Sequence, residues 1–128
     1  MTDDYSSLSA EVIAYLQSQR LGRLATVDGD GAPQNNPVGF RYNDELGTID
    51  IGGRDMGASR KFRNVAGNPK VAFVVDDLAS VQPWRPRCVE IRGRAEALRD
   101  LAGQPSGLSA EIIRVYPERV ISFGLDPA

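Results

Sequence analysis

The sequence has no histidine and a single cysteine, Cys88, and these two absences exclude most side-chain chemistry. Without histidine there is no Ser-His or Cys-His nucleophile pair and no imidazole acid or base. A zinc site built on histidine is also excluded, and one thiol cannot supply a thiolate cage. A lone cysteine forms no internal disulfide, which fits a cytoplasmic setting. Cys88 reads as a core thiol, since nothing beside it in sequence suggests an activating base. Any reaction on this chain is therefore expected to run on the atoms of a bound group, with no catalytic side chain and no metal.

Lysine is scarce as well. Lys61 and Lys70 are the only two, and arginine carries the rest of the positive charge. The formal net charge is -2, with 41% hydrophobic and 25% charged residues. That is an ordinary globular balance, with no general pull toward nucleic acid or an anionic membrane. No apolar run approaches the ~20 residues of a membrane span. The opening Met-Thr-Asp-Asp-Tyr lacks the basic and apolar regions of a signal peptide. Asp28, Asp30, Asp76 and Asp77 read as turn residues, without the spacing of a calcium loop. The 128 residues are expected to form one domain, 1–128.

Leu8 to Arg20 reads as a helix. Ser9 is placed to cap it, Leu8 and Ile13 to staple it, and Gly22 to end it. Val12, Ile13 and Leu16 supply its apolar stripe. Strands follow at Gly22–Asp28 and Ala32–Tyr42, joined by the tight-turn signal Asp28-Gly29-Asp30-Gly31. Pro33 and Pro37 make the second strand an edge or a bulged one. Thr48–Gly52 is a third strand, and Ser59–Ala66 a short helix anchored by Phe62 and Val65. In Lys70–Asp76 the unbroken run Val71 to Val75 predicts burial on both faces. Asp77–Pro86 reads as a loop. Arg87–Leu98 alternates, with Val89, Ile91, Gly93 and Ala95 on one face and Glu90, Arg92, Arg94 and Glu96 on a solvated or interfacial one. A short helix near Leu108–Val115 and a strand near Arg119–Phe123 complete the pattern. About six antiparallel strands with a few short helices predict a mainly β barrel or sandwich, with the barrel preferred.

Three segments are candidate sites. Gly52-Gly53-Arg54-Asp55-Met56-Gly57-Ala58-Ser59-Arg60-Lys61 runs from a strand through a glycine-rich loop into a helix start, where free N–H groups and the helix dipole favour an anion. Arg60 and Lys61 oppose that dipole, so a bound anion would turn their cost into a gain; the plain alternative is a solvated basic turn. The loop matches neither a Walker A nor a dinucleotide fingerprint. In Gln34-Asn35-Asn36-Pro37-Val38-Gly39-Phe40, backbone groups freed by Pro37 could meet the polar edge of a planar ring, against the alternative of a bulged edge strand. In Pro83-Trp84-Arg85-Pro86-Arg87, Trp84 could stack on a ring or a partner subunit, or simply pack at a barrel mouth.

Taken together, these segments resemble the pyridoxamine 5'-phosphate oxidase-like, split-barrel flavin-binding family. Within it the chain looks like small actinobacterial members that use the deazaflavin coenzyme F420. The matching stretches are Gly22-Arg23-Leu24-Ala25-Thr26-Val27-Asp28, Pro37-Val38-Gly39-Phe40, Ser59-Arg60-Lys61-Phe62-Arg63-Asn64-Val65 and Asn68-Pro69-Lys70-Val71-Ala72-Phe73. Arg92-Gly93-Arg94-Ala95-Glu96 and Arg119-Val120-Ile121-Ser122-Phe123-Gly124-Leu125-Asp126 follow in family order. The resemblance implies a split barrel, a homodimer, and a cofactor in a groove at the subunit interface. Ser59, Arg60 and Lys61 would hold its phosphate, and Asn35, Asn36, Pro37, Val38 and Gly39 would run along its ring. Gly53 and Arg54 would close over it, with Trp84 and Arg87 near the interface. It implies an F420-dependent oxidoreductase passing hydride to a small unsaturated substrate. An FMN-binding reductase of the same fold, or a non-catalytic flavin or tetrapyrrole carrier, are the alternatives. True pyridoxamine phosphate oxidases carry an Arg-x-His substrate motif that a histidine-free chain cannot match, so vitamin B6 oxidation is not implied.

Overall fold

A computed structural model describes residues 8–127, so the opening Met-Thr-Asp-Asp-Tyr lies outside the described residues. Helix α1, Ala10–Gln17, begins where Ser9 adopts an extended backbone and its hydroxyl accepts the Val12 N–H at 3.2 Å. The helix buries Val12, Tyr15 and Leu16. It ends at Ser18, short of the expected Gly22. Gly22 instead lies in β1, where a Cβ would come within 2.4 Å of the buried Phe73 ring. A close approach of ring to backbone, and not a helix stop, is what this glycine permits.

Seven strands form one antiparallel sheet, one more than expected. They are β1 (Leu21–Val27), β2 (Pro33–Gly39), β3 (Arg41–Asn43), β4 (Thr48–Ile51), β5 (Lys70–Ser80), β6 (Arg85–Leu98) and β7 (Ile112–Phe123). The β1–β2 turn forms as the sequence predicts: the Asp28 carboxylate accepts the Asp30 and Ala32 N–H groups, both at 2.9 Å. Strand order is β2-β1-β5-β6-β7-β4-β3. β2 and β3 thus occupy opposite edges of the sheet, yet Phe40 alone separates them in sequence. Since one residue spans only about 3.5 Å, the sheet must curl until its edges approach. The result is a split barrel, joined covalently at Phe40 but not closed by a ladder there. Phe40 meets Phe73 edge-on, with ring centroids 5.1 Å apart.

Three local expectations are corrected. Val71, Phe73 and Val75 are buried, but Ala72 and Val74 are only half-buried, so the apolar run covers one face fully and lines a shallow groove with the other. Residues expected in the Asp77–Pro86 loop partly belong to β5 and β6, which continue to Ser80 and from Arg85. No helix forms near Leu108–Val115; Ile112–Phe123 is one strand. Leu108, Ile112 and Val115 recur at helical spacing, but Ile112, Ile113 and Val115 are β-branched and suit a strand. Pro117 is tolerated because it sits opposite Gly93, beside an irregularity in the β6–β7 ladder. There a Cβ on Gly93 would lie 2.1 Å from the Tyr116 carbonyl oxygen.

Helix α2, Arg60–Gly67, inserts Phe62 and Val65 into the core. Its buried Asn64 amide donates to Thr26 Oγ1 at 3.0 Å and to Gln34 Oε1 at 2.8 Å, fastening the helix to β1 and β2. The face of β6 opposite the core carries charge pairs: Arg92 pairs along the strand with Glu90 at 2.8 Å, and Arg94 pairs across to Glu118 on β7 at 3.7 Å. No helix among the described residues is long and apolar enough to cross a membrane.

Candidate functional site

The open seam of the barrel is bordered by edge strand β2 on one side and by the segment from β4 to α2 on the other. That segment is held firmly. Ser109, in the β6–β7 connection, accepts the Met56 N–H at 3.0 Å and donates its own N–H to the Gly53 carbonyl at 2.8 Å. Glu111 accepts the Gly57 N–H at 3.3 Å. Met56 is buried in the core. The Ser59 hydroxyl donates to the Met56 carbonyl at 2.6 Å and accepts the Phe62 N–H at 3.3 Å, capping α2. Ser59 is therefore first a structural cap, and it also lines the groove.

Two adjoining cavities follow the seam. The smaller, about 230 Å³, brings together Pro37, Val38, Gly39, Gly53, Arg54, Ser59 and Lys61 from the expected set. Asp55 also lines it, as a countercharge. The larger, about 540 Å³, shares Gly39, Gly52, Gly53 and Arg54 with it. Phe40, Leu108 and Ile112 give the larger cavity its apolar wall. Arg54, Arg60, Lys61 and Arg63 form no ion pair among the described residues, whereas Arg23, Arg87, Arg92 and Arg114 all do. Of these, Arg54 and Lys61 line the smaller cavity, and two such cations beside a helix start and an unladdered strand edge are suited to an anion on a planar ligand.

The wall of the larger cavity holds a buried carboxylate that the sequence reading did not single out. Asp50 Oδ1 accepts from Thr48 Oγ1 at 2.9 Å and Arg114 Nε at 3.0 Å; Oδ2 accepts from Asn43 Nδ2 at 2.9 Å and Arg114 Nη2 at 3.1 Å. Arg41 adds a longer contact at 3.5 Å. Burial opposes ionisation of this carboxyl, but the hydrogen bonds from Arg114, Asn43 and Thr48 outweigh it and hold Asp50 below its ordinary value. The available signal was an aspartate between two isoleucines in a short strand, Thr48–Ile51, that is buried throughout.

The remaining expected residues do not reach these cavities within one chain. Asn35 lines a separate groove with Ala72 and Val74. Asn36 is exposed on β2, and Arg60 is exposed on α2 without lining either cavity. Trp84 sits 66% exposed at the β5–β6 turn. Arg87 is occupied elsewhere. It grips Asp77 through Nε at 2.8 Å and Nη2 at 2.5 Å, and lies 5.2 Å above the Tyr15 ring. Tyr15 donates to Asp77 at 2.9 Å. Burial, then this bond to a carboxylate, push the Tyr15 hydroxyl well above its ordinary pKa. The Arg87 hydrogen bond, against a partial burial penalty, holds Asp77 below its ordinary value. Cys88 is half-buried on the face of β6 opposite Val89 and Ile91, so the expected core position is corrected; partial burial raises its thiol pKa, and Asp76 and Glu90 add to the shift.

Comparison with known proteins gives three concordant results. The sequence pattern of the pyridoxamine 5'-phosphate oxidase family matches residues 8–122. A 5a,11a-dehydrotetracycline/5a,11a-dehydrooxytetracycline reductase from Streptomyces rimosus is 48% identical over 121 residues, covering 89% of this chain and 81% of that protein. Among solved structures, an FAD binding protein from Mycobacterium smegmatis has a TM-score of 0.68 at 26% identity, over 91% of this chain and 94% of its own. An F420 reductase has a TM-score of 0.60 at 27% identity, over 80% of this chain and 89% of its own.

Proposed function

This chain belongs to the pyridoxamine 5'-phosphate oxidase family and is one of its oxidoreductases, and from that premise we propose that it is an F420-dependent reductase of a conjugated carbon–carbon double bond. The observation that carries the reading is the seam cavity, where Arg54 and Lys61 stand without an ion pair among the described residues beside the start of α2. The likeness to an F420 reductase and the 48% identity to a reductase of a dehydrotetracycline support it. By that likeness, a polycyclic enone is the substrate class to test first.

The residues of the smaller cavity fit the phosphate-bearing part of such a cofactor. Arg54, Lys61 and the N-terminal amides of α2 would hold the phosphate, with Ser59 at the cavity edge as the cap that sets the start of that helix. Pro37 to Gly39 would lie along the ring. When bound, the reduced deazaflavin supplies a hydride to the β-carbon of the double bond, and solvent supplies the proton for the α-carbon. The protein's work is to orient the two partners and keep water from the cavity, through the apolar wall of Phe40, Leu108 and Ile112. The same reading expects a homodimer, in which a second copy would contribute Trp84 and Arg87. Light scattering then gives about twice 13.9 kDa.

The likeness to an FAD binding protein favours a second reading, a flavin nucleotide such as FMN in the same cavity. Anaerobic mixing of the protein with reduced F420 and a panel of enones separates the two. Cofactor reoxidation that depends on protein and enone supports F420. Turnover with reduced FMN alone supports the second reading, and no turnover with either sinks both.

A further inference from the structure

The larger seam cavity carries an assignment of its own. We propose that it is the substrate subsite for a planar, conjugated carbonyl compound, and that Arg41 binds the oxygen on which negative charge collects during reduction. The inference rests on the cofactor reading only in placing the hydride donor next door, along the shared edge at Gly39 and Gly52 to Arg54.

The charge balance of the cavity wall is the main observation. Among the described residues, Asp50 is the only carboxylate lining it, against Arg20, Arg41 and Arg54. Asp50 is itself consumed. Its side chain is 4% exposed, and Arg114 meets both oxygens in a fork at 3.0 and 3.1 Å. That pair is neutral. Arg41 stands on the cavity side of it, 62% exposed and 3.5 Å from Asp50 Oδ2. A contact of that length is at the limit of a hydrogen bond, so most of the five N–H donors of Arg41 are unused. Phe40, Pro105, Leu108 and Ile112 form an apolar wall, and Gln19 and Gln104 add neutral polar groups. A volume of about 540 Å³ falls within the usual range for small-molecule sites. A cavity with one apolar wall and three arginines against a single carboxylate that is already paired selects a flat organic molecule that is anionic or becomes so, and Arg41 is the arginine that stands beside that carboxylate.

The chemistry needs such a cation. Conjugate reduction moves two electrons as hydride from the reduced deazaflavin onto the β-carbon. The carbon–carbon π pair shifts toward the carbonyl, and its oxygen becomes an enolate until a solvent proton reaches the α-carbon. Arg41 would hold that oxygen through the interval. Asp50, gripped by Arg114, would act as a positioning residue for Arg41 through its one contact at 3.5 Å.

The test uses 4-hydroxycoumarin, a stable planar enolate at neutral pH, against its neutral 4-methyl ether, by calorimetric titration of the full chain. The expected result is at least about tenfold tighter binding of the enolate, equal to about 1.4 kcal/mol. Arg41→Gln should erase that preference, and Arg41→Lys should restore part of it. FMN and F420 affinity should be unchanged in both variants, which also reports that they are folded. Equal binding of enolate and ether by the unmodified protein would overturn the assignment, as would a preference that survives Arg41→Gln. Failure of F420 and FMN to bind would instead sink the cofactor reading, while the coumarin pair would still decide the role of Arg41.

Discussion

Replacing Lys61 by glutamine should move stability and cofactor affinity in opposite directions. Lys61 is the second residue of α2, which spans Arg60–Gly67 under the Ser59 cap. A cation there opposes the positive end of the helix dipole, so its removal should stabilise the unliganded protein by about 0.3–1 kcal/mol. For a chain of this size that raises the melting temperature by roughly 1–4 °C. Nothing offsets the gain, since Lys61 forms no ion pair among the described residues. The same side chain lines the 230 Å³ cavity. A hydrogen bond to a charged group contributes about 1.5–3 kcal/mol, so losing it should weaken phosphate-bearing cofactor roughly ten- to hundredfold. Thermal melts of the unliganded protein, with fluorescence titrations of F420 and FMN at low and high salt, measure both quantities. The affinity loss should shrink as salt rises. An unchanged dissociation constant, or a lower melting temperature, would show that Lys61 has a structural task and no anion to hold.

Neighbouring cations should divide by position: Arg54→Ala should weaken cofactor binding about tenfold, while Arg60→Ala, outside both cavities, should leave it within about twofold. Asp50→Asn strands Arg114 beside a neutral group and should cost about 3 kcal/mol in chemical denaturation. At low pH, Asp50 and Asp77 both have folded pKa values below the ordinary 3.8, so their stabilisation is present above that pH and is lost as pH falls through the lower folded values. Tyr15 has the opposite sign, because its folded pKa is raised: its contribution is intact below 10.0 and disappears as pH climbs above it. Tyr15→Phe should therefore flatten the alkaline arm of a stability–pH profile and leave the acid arm in place.

Most of the barrel was legible because its signals are local. The Asp28–Gly31 turn, the Ser9 and Ser59 caps and the alternation along β6 each act within a few residues, and each appears as expected. The Leu108–Val115 segment was misread because its apolar spacing fits a helix, while its pairing with β6 is a long-range fact that overrides it. The edge-to-edge approach at Phe40 follows from strand order, which no local pattern encodes. The candidate site divides in the same way. The loop from Gly53 to Lys61 announces itself through glycines and cations. Arg41, Asp50 and Arg114 come from three different strands, and only register brings them together. Trp84 and Arg87 enter through the family resemblance, as residues near a subunit interface, and within one chain Arg87 is held by a tyrosine and an aspartate 72 and 10 residues away in sequence.

The most direct measurement is the position of the phosphate in a crystal of the protein bound to F420 or FMN. A phosphate oxygen within about 3 Å of Lys61 Nζ, with the ring along Pro37 to Gly39, is the predicted result. A phosphate seated elsewhere, such as against Arg23 across the outer face of β1, with the seam cavity empty, would contradict it.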